Sequence, residues 1–207
     1  MPKDTIDTTM MYVVHNAFLR DLDALTSATD NDDPSVRATW DRFKTFLQIH
    51  HTAEDTHLWP VLRGKFADHS SGLAVLAEME REHVGLTALL DAADSALSAS
   101  GPWITDVQRL NDALTAHCEH EEERALPLIA DLLTPAEWTE FGLEQRRQLG
   151  RGGGASFLPW LLDGANAETQ RMVLGQLPPP ARLLYRVAWR PRYLRGPRLQ
   201  SASRPKA

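Results

Sequence analysis

The chain has 207 residues, a formal net charge of −6 and an apolar fraction of 43%, which suits one sizeable globular domain with an appendage. No apolar run approaches the roughly 18 to 20 residues of a membrane span, and the single cysteine, Cys118, excludes a disulfide framework or a cysteine-based zinc site. The first residues lack the apolar stretch of a signal peptide, so we expect a cytoplasmic protein.

Charge divides the chain into two parts. Residues 145–207 contain 12 Lys and Arg against 2 Asp and Glu, whereas residues 1–144 contain 10 against 26. Glycine is dense at residues 150–154, where its backbone freedom disfavours a helix. We therefore expect a helical domain over residues 1–149, a flexible linker over 150–154 and a basic, partly helical extension over 155–207.

Four long segments show the three- and four-residue apolar spacing of amphipathic helices. Their predicted bounds are about 9–25, 34–59, 72–99 and 103–133, and the second is expected to end just before Pro60. Thr134 and Glu137 form a capping-box signal for a shorter helix to about residue 148. No strand pattern is present, and the connections are short. The sequence therefore predicts an all-α protein with an up-down-up-down four-helix bundle.

An internal near-repeat carries the residue types of a metal site. The segments 50–60 and 117–127 each begin with His, place Glu four residues later, a second acid five residues later and Pro ten residues later. A spacing of four puts His and Glu on one helix face, a turn apart, so both can reach one metal ion or a pair of ions. His15 on the first predicted helix and His83 on the third extend the set to all four helices.

The chemistry of this set favours iron or manganese, because it combines imidazole with carboxylate and contains no sulfur ligand. Carboxylates among the apolar side chains of a bundle core would also be costly to bury without a cation. The alternative, purely structural interpretation is that these residues form a solvated polar face on each helix of a bundle that binds no metal.

The pattern resembles the hemerythrin-like HHE cation-binding domain, over about residues 10–133. The resemblance implies a di-iron centre with terminal His ligands and bridging Glu ligands: His15, His50, His83, His117, Glu54 and Glu121. Oxygen-carrying hemerythrins place two His four residues apart on the third helix, but here Met79 and Thr87 occupy those positions around His83. Some relatives use the residue directly after the His of the second helix, which is His51 here. The departure weighs against reversible oxygen carriage.

Two alternatives for the ligands stay open. Glu122 could replace Glu121, since hemerythrin proper uses a spacing of five on this helix. A ferritin-like site would use the Glu-x-x-His pairs that end at His57 and His83, although the fourth helix has no such pair.

The remaining candidate residues are assigned smaller roles. His57, His69 and His120 are expected beside the ligands or on the surface, and Asp55 is expected to hydrogen-bond to a ligand His. Cys118 is expected to be a small helix residue.

The basic extension has three recognisable parts. An apolar cluster at residues 156–164 could dock against the bundle. Helices are predicted over about 167–177 and 181–189. They are followed by an irregular arginine-rich end that includes Arg192, Arg195, Arg198 and Arg204. Such a basic amphipathic element could contact an anionic membrane, nucleic acid or an acidic partner. The pattern favours an ordinary packed helix with a solvated tail.

The resemblance implies a protein that binds or reacts with dioxygen, peroxide or nitric oxide. We expect two non-haem iron ions as the cofactor, with manganese or zinc less favoured. The expected function is catalase-like activity or redox-stress protection, because a carboxylate-bridged metal pair can act on peroxide as template and electron store. The alternative is a sensor of oxygen, iron or nitric oxide, or an iron-binding module without turnover.

Overall fold

A computed structural model describes residues 6–30, 32–66, 70–99 and 102–200, and within these ranges every regular element is helical. The elements are α1 (Thr9–Thr26), α2 (Pro34–Ala53), a π turn (Glu54–Leu58), α3 (Trp59–Lys65), α4 (Ser70–Ser98), α5 (Ile104–His120), a π turn (Glu121–Ala125), α6 (Leu126–Leu132), α7 (Pro135–Leu149), α8 (Gly154–Leu161), α9 (Ala167–Gly175), α10 (Pro179–Leu184), a π turn (Tyr185–Trp189) and α11 (Arg190–Arg195). The predicted absence of strands is confirmed for these residues. His69 and Arg204 lie outside the described residues.

Two helices begin where their capping residues place them. The Asp33 side chain accepts a hydrogen bond from the backbone N–H of Ser35 at the start of α2, and Pro34 occupies the first turn. At the start of α7 the Thr134 backbone N–H donates to Glu137, while the Thr134 hydroxyl accepts from the Glu137 N–H. The predicted capping box is therefore present.

Three helices widen into a π turn six residues before a proline. Glu54, Glu121 and Tyr185 each accept a hydrogen bond from the backbone N–H five residues later, and the prolines that follow are Pro60, Pro127 and Pro191. Proline has no N–H, and its ring clashes with the carbonyl four residues earlier in an α-helix. The wider turn relieves that clash and lets the helix continue.

These turns overturn two predicted helix ends. The second helix does not end before Pro60, because it continues through its π turn as α3 to Lys65. The last helix does not end at Trp189, because it continues through Pro191 to Arg195. The arginine-rich end is thus partly helical rather than irregular.

The long helices pack around two apolar clusters. α1 contacts α2 and α5, and α4 contacts α5. Along α2, Leu47 belongs to one cluster and Ala53 to the other, and along α4 the corresponding residues are Leu86 and Met79. His50, His51 and His83 lie between these positions in the chain, so the packing leaves a polar layer between two apolar ones.

The extension joins one of these apolar clusters through Trp160. Its ring is fully buried, 5.3 Å from the Phe18 ring and 4.6 Å from the Phe46 ring between centroids. The indole N–H donates to Asp21 at 2.7 Å, and Arg20 donates to the Trp160 carbonyl at 2.8 Å. The apolar cluster of the extension therefore docks as the sequence suggested.

The glycine-rich segment between α7 and α8 turns tightly. Gly150 and Gly152 have φ values of 69° and 86°, which residues with a side chain rarely adopt. α8 begins at once at Gly154. The flexibility of residues 150–154 stays a prediction.

None of the helices in the described ranges combines the length and hydrophobicity that a membrane span requires.

Candidate metal centre

Five histidines point into the layer between the two apolar clusters. Each is at most 9% exposed, and together they come from α1, α2, α4 and α5: His15, His50, His51, His83 and His117. An uncharged imidazole still carries a donor and an acceptor, so this many buried rings need partners.

The buried side chains form two groups of three. His15, His50 and Glu121 form the first group, and within it one donor atom of each residue lies within 4.8 Å of the others. His51, His83 and His117 form the second group by the same measure. Because imidazole nitrogens bind a divalent metal at about 2.1 Å, donors on opposite sides of one ion lie about 4.2 Å apart. Small side-chain shifts would close each group around an ion.

Neighbouring residues of α2 belong to different groups. His50 and His51 point about 100° apart around the helix, as consecutive residues do. The His51 ring stacks on His83, with centroids 4.0 Å apart and planes 13° apart, while the centroids of His83 and His117 are 4.9 Å apart. A single pair of adjacent histidines therefore serves both groups.

Two fully buried carboxylates contact both groups: Glu121, which belongs to the first group, and Glu54, which belongs to neither. Glu54 has one oxygen 3.2 Å from His50 Nε2 and the other 3.6 Å from His83 Nε2. Glu121 lies 3.2 Å from His15 Nε2 and 3.9 Å from His117 Nε2. Each carboxylate thus contacts one imidazole of each group, which is the placement that bridging ligands need.

Both carboxylates are the first residues of π turns. Single π turns inside α-helices occur frequently at functional sites. The proline at the end of each near-repeat therefore shapes the backbone at the carboxylate six residues before it.

The polar atoms that face this layer have no hydrogen-bond partner among the described residues. They are Nε2 of His15, His83 and His117, both ring nitrogens of His50, and both oxygens of Glu54 and of Glu121. Buried polar atoms in folded proteins almost always have partners. So many unpartnered donors and carboxylate oxygens facing one another fit a bound cation.

The comparison with known families decides the classification. Residues 7–129 match the family described as Hemerythrin HHE cation binding domain, which is more than half of the chain. The chain belongs to the hemerythrin HHE family. Searches of curated proteins and of solved structures give no significant match. Family membership and the His and Glu groups together indicate that this hemerythrin domain binds a cation.

Burial and mutual repulsion keep His50 and His51 of this hemerythrin domain neutral, whereas the neighbouring Cys118 and Glu121 outweigh burial and raise the pKa of His15 well above its usual value. Burial, aided by the neighbouring His15, lowers the pKa of His50 to about 3. Burial and the ring of His83 hold the pKa of His51 well below its usual value. Neutral imidazole is the form that binds metals.

The two carboxylates have opposite pKa shifts. Burial, and then the charge of Glu121, raises the pKa of Glu54 well above its usual 4.5. Burial would also raise the pKa of Glu121, but His15 and the other imidazoles lower it to about 2. Two carboxylates in one buried layer repel each other, and a cation between them would stabilise both charges.

Three carboxylates outside the layer orient the imidazoles. Hydrogen bonds of 2.8 Å join Nδ1 of His15 to Glu122, Nδ1 of His83 to Asp55 and Nδ1 of His117 to Glu82. A carboxylate on Nδ1 fixes the tautomer and leaves Nε2 free for a metal. The expected hydrogen bond from Asp55 to a ligand candidate is present.

The two alternative carboxylates, Glu121 and Glu122, differ in their burial. Glu121 is fully buried in the layer, whereas Glu122 is 28% exposed and lies behind His15. Glu82 was not singled out from the sequence. Its position directly before His83 gave no signal, because only the packing of α4 on α5 brings it to His117.

A ferritin-like site does not form. His57 is 41% exposed and lies 3.6 Å from Glu144, and Glu80 pairs with Arg63 on the surface. Neither pair of the Glu-x-x-His alternative is assembled in the layer. His120, also partly exposed, hydrogen-bonds to Glu82 outside the layer.

Proposed function

We propose that this hemerythrin-family protein is an up-down-up-down four-helix bundle that holds two non-haem iron ions. In this proposal His15 and His50 of the first group would hold one ion, and His51, His83 and His117 of the second group would hold the other. Glu54 and Glu121 would supply negative charge to both ions. The function that we propose is catalase-like turnover of peroxide, in a cytoplasmic protein that protects against redox stress.

The observation that carries the proposal is the layout of two buried groups joined by two buried carboxylates. A single ion would leave one group of three unpartnered, at the cost of burying polar atoms without partners. Two carboxylates, each within 4 Å of an imidazole of both groups, offer the negative charge that a pair of cations needs.

Iron fits the donor set best. Carboxylate oxygens suit hard cations and imidazole suits borderline ones, while thiolate, which would favour zinc or copper, is absent from both groups. Structural zinc sites use four ligands around one ion. A cluster of five imidazoles and two carboxylates instead matches a pair of ions with a higher coordination number.

The protein side chains would leave room for a small molecule. Five imidazoles and two carboxylates supply fewer donor atoms than two six-coordinate ions require, so the centre keeps positions for dioxygen, peroxide or nitric oxide. When bound, the iron pair would supply Lewis acidity and storage for electrons. The apolar clusters above and below the layer restrict access by water, and the outer carboxylates hold the imidazoles in place.

One observation favours the sensor alternative. Trp160 of the extension packs on Phe18 at 5.3 Å, and the Phe18 ring lies 5.5 Å from that of His50. A shift of the His50 ring would therefore disturb the contact between Phe18 and Trp160 that holds the extension. In a sensor, ligand binding would alter the extension without repeated turnover of peroxide.

The test begins with anaerobic reconstitution of the purified protein with ferrous iron. We expect about two irons per chain and an ultraviolet band that changes on exposure to peroxide, with both lost in His117→Ala because a ligand of a buried site is removed. His57→Ala is the matched control, because His57 is exposed and lies outside both groups. Absence of bound iron or manganese after reconstitution, or full iron content in His117→Ala, would overturn the proposal.

Oxygen evolution separates the two functions. A catalase-like centre releases oxygen from peroxide through many cycles per iron, whereas a sensor gives one spectral change without sustained release. Sustained release that is lost in His117→Ala and kept in His57→Ala supports the enzyme.

A further inference from the structure

The last helical segment carries an exposed face that the metal centre does not use. We call residues 179–195, from α10 through the π turn to α11, the outer helix. Its inner side packs on the core through Tyr185, which is 3% exposed, and through the partly buried Trp189 and Tyr193. These aromatic residues recur every four positions, so they form one stripe and fix which side of the helix faces out.

The side that faces out is apolar as well as basic. Leu183, Leu184, Val187 and Leu194 are 61%, 46%, 64% and 38% exposed. Arg186, Arg190, Arg192 and Arg195 are exposed among them. We call these eight residues the outer face. Large aliphatic side chains exposed together on one helix usually mark a contact surface.

A groove at the edge of the outer face adds two further arginines. Arg171 and Arg182 line it together with Arg186 and Arg190 of the outer face, and its lining contains no carboxylate. No ion pair joins these four arginines to an acidic residue of the described chain, and Arg171 and Arg182 donate to backbone carbonyls instead. The groove therefore offers unneutralised guanidinium groups, which bind phosphate well.

The sequence around the outer helix contains no opposing charge. Residues 169–207 have nine Arg and Lys and no Asp or Glu. A helix that combines exposed aliphatic residues, arginine on the same surface and no acid is typical of segments that lie in the plane of an anionic membrane.

We propose that the outer face docks this protein on an anionic phospholipid surface, with Leu183 and Val187 entering the acyl boundary and the arginines binding headgroup phosphates. The aliphatic side chains favour lipid over nucleic acid, whose backbone offers them no apolar partner. A second copy of the chain is also disfavoured. Two outer faces would bring their arginines together, and like charges repel, while the exposed large apolar residues elsewhere in the described structure lie singly on four different helices: Tyr12, Val84, Ile104 and Leu143. This inference does not depend on the identity of the metal or on turnover.

The experiment is co-sedimentation of the full-length, metal-loaded protein with vesicles. Vesicles of phosphatidylcholine with about 30% phosphatidylglycerol test the anionic surface, and pure phosphatidylcholine tests the neutral one. We expect binding to the anionic vesicles only, weakened when salt is raised from about 0.1 M to about 0.5 M.

Matched variants separate the contribution of the aliphatic side chains to vesicle binding from that of the arginines. Leu183→Ser with Val187→Ser, and separately Arg186→Gln with Arg190→Gln, should each weaken vesicle binding by about tenfold or more. The controls are Val84→Ser and Arg109→Gln, which are 71% and 67% exposed on α4 and α5. They should bind as the wild type does. Unchanged iron content and circular dichroism show that each variant is folded.

Three outcomes would overturn the proposal. The first is no vesicle binding, or equal binding to neutral vesicles. The second is vesicle binding that is lost in the arginine variant, kept in the aliphatic variant and fully competed by duplex DNA. This result would identify a site for polyanions. The third is a dimer in sedimentation velocity that Leu183→Ser with Val187→Ser abolishes, without lipid binding, which identifies a second copy of the chain.

Discussion

The two segments of the near-repeat each orient a histidine on a different helix. In the segment 50–60 the second acid, Asp55, hydrogen-bonds to His83 of α4, and in the segment 117–127 the second acid, Glu122, hydrogen-bonds to His15 of α1. Glu54 and Glu121 both begin π turns and both contact the two groups. The polar layer is therefore nearly symmetric in its carboxylates.

The symmetry fails at the residue after the first His. His51 in the first segment corresponds to Cys118 in the second. His51 joins His83 and His117 in the second group, whereas Cys118 is buried against His15 and belongs to neither group. One group therefore has three imidazoles and the other has two with a carboxylate. The difference shows that two similar local sequences can contribute unequal sets of side chains to the layer.

The largest expected effect comes from the matched carboxylates. Glu54→Ala and Glu121→Ala should each reduce iron from about two per chain to near none, because each side chain contacts both groups and metal binding is coupled to the folded site. Iron content after anaerobic reconstitution measures this. Glu119→Ala, exposed on α5, is the control. Retention of one iron in either carboxylate variant would contradict bridging.

A smaller effect should separate His51 from Cys118. His51→Ala removes an imidazole of the second group only, so we expect iron to fall from about two to about one per chain. Cys118→Ala should keep both irons, because the thiol is outside both groups. Iron analysis with the ultraviolet spectrum distinguishes the variants. Equal iron loss in both would show that Cys118 is a ligand and that the asymmetry is not real.

The smallest effect should come from the two second acids. Asp55→Asn and Glu122→Gln keep the shape of the side chain but remove the charge behind His83 and His15. Loss of such a partner typically weakens metal affinity by about 10- to 100-fold. Competition with a chelator of known affinity measures this. If the near-symmetry is functional, the two variants should lose similar amounts of metal affinity. An unchanged affinity in both would refute the orienting role.

Much of the fold and of the site was predictable because the controlling interactions are local. The helix periodicity, the helix start at residue 34 and the capping box at Thr134 depend on residues within one turn of each other. The same is true of His50 with Glu54 and of His117 with Glu121, which share a helix face through a spacing of four. The two helix ends at Pro60 and Trp189 were wrong because a π turn lets a helix pass a proline, an option that an α-helical pattern does not reveal.

The sequence by itself determined an all-helical chain, the side chains available for a metal layer and the basic character of its last third. Tertiary structure alone decided which imidazoles face each other, that Glu121 rather than Glu122 is in the layer, and that Glu82 of α4 supports His117 of α5. It also decided that Trp160 reaches Asp21, across 139 positions of the chain. The physical reason is range: helix-face spacing is fixed within a few residues, whereas contacts between helices depend on how their apolar faces pack.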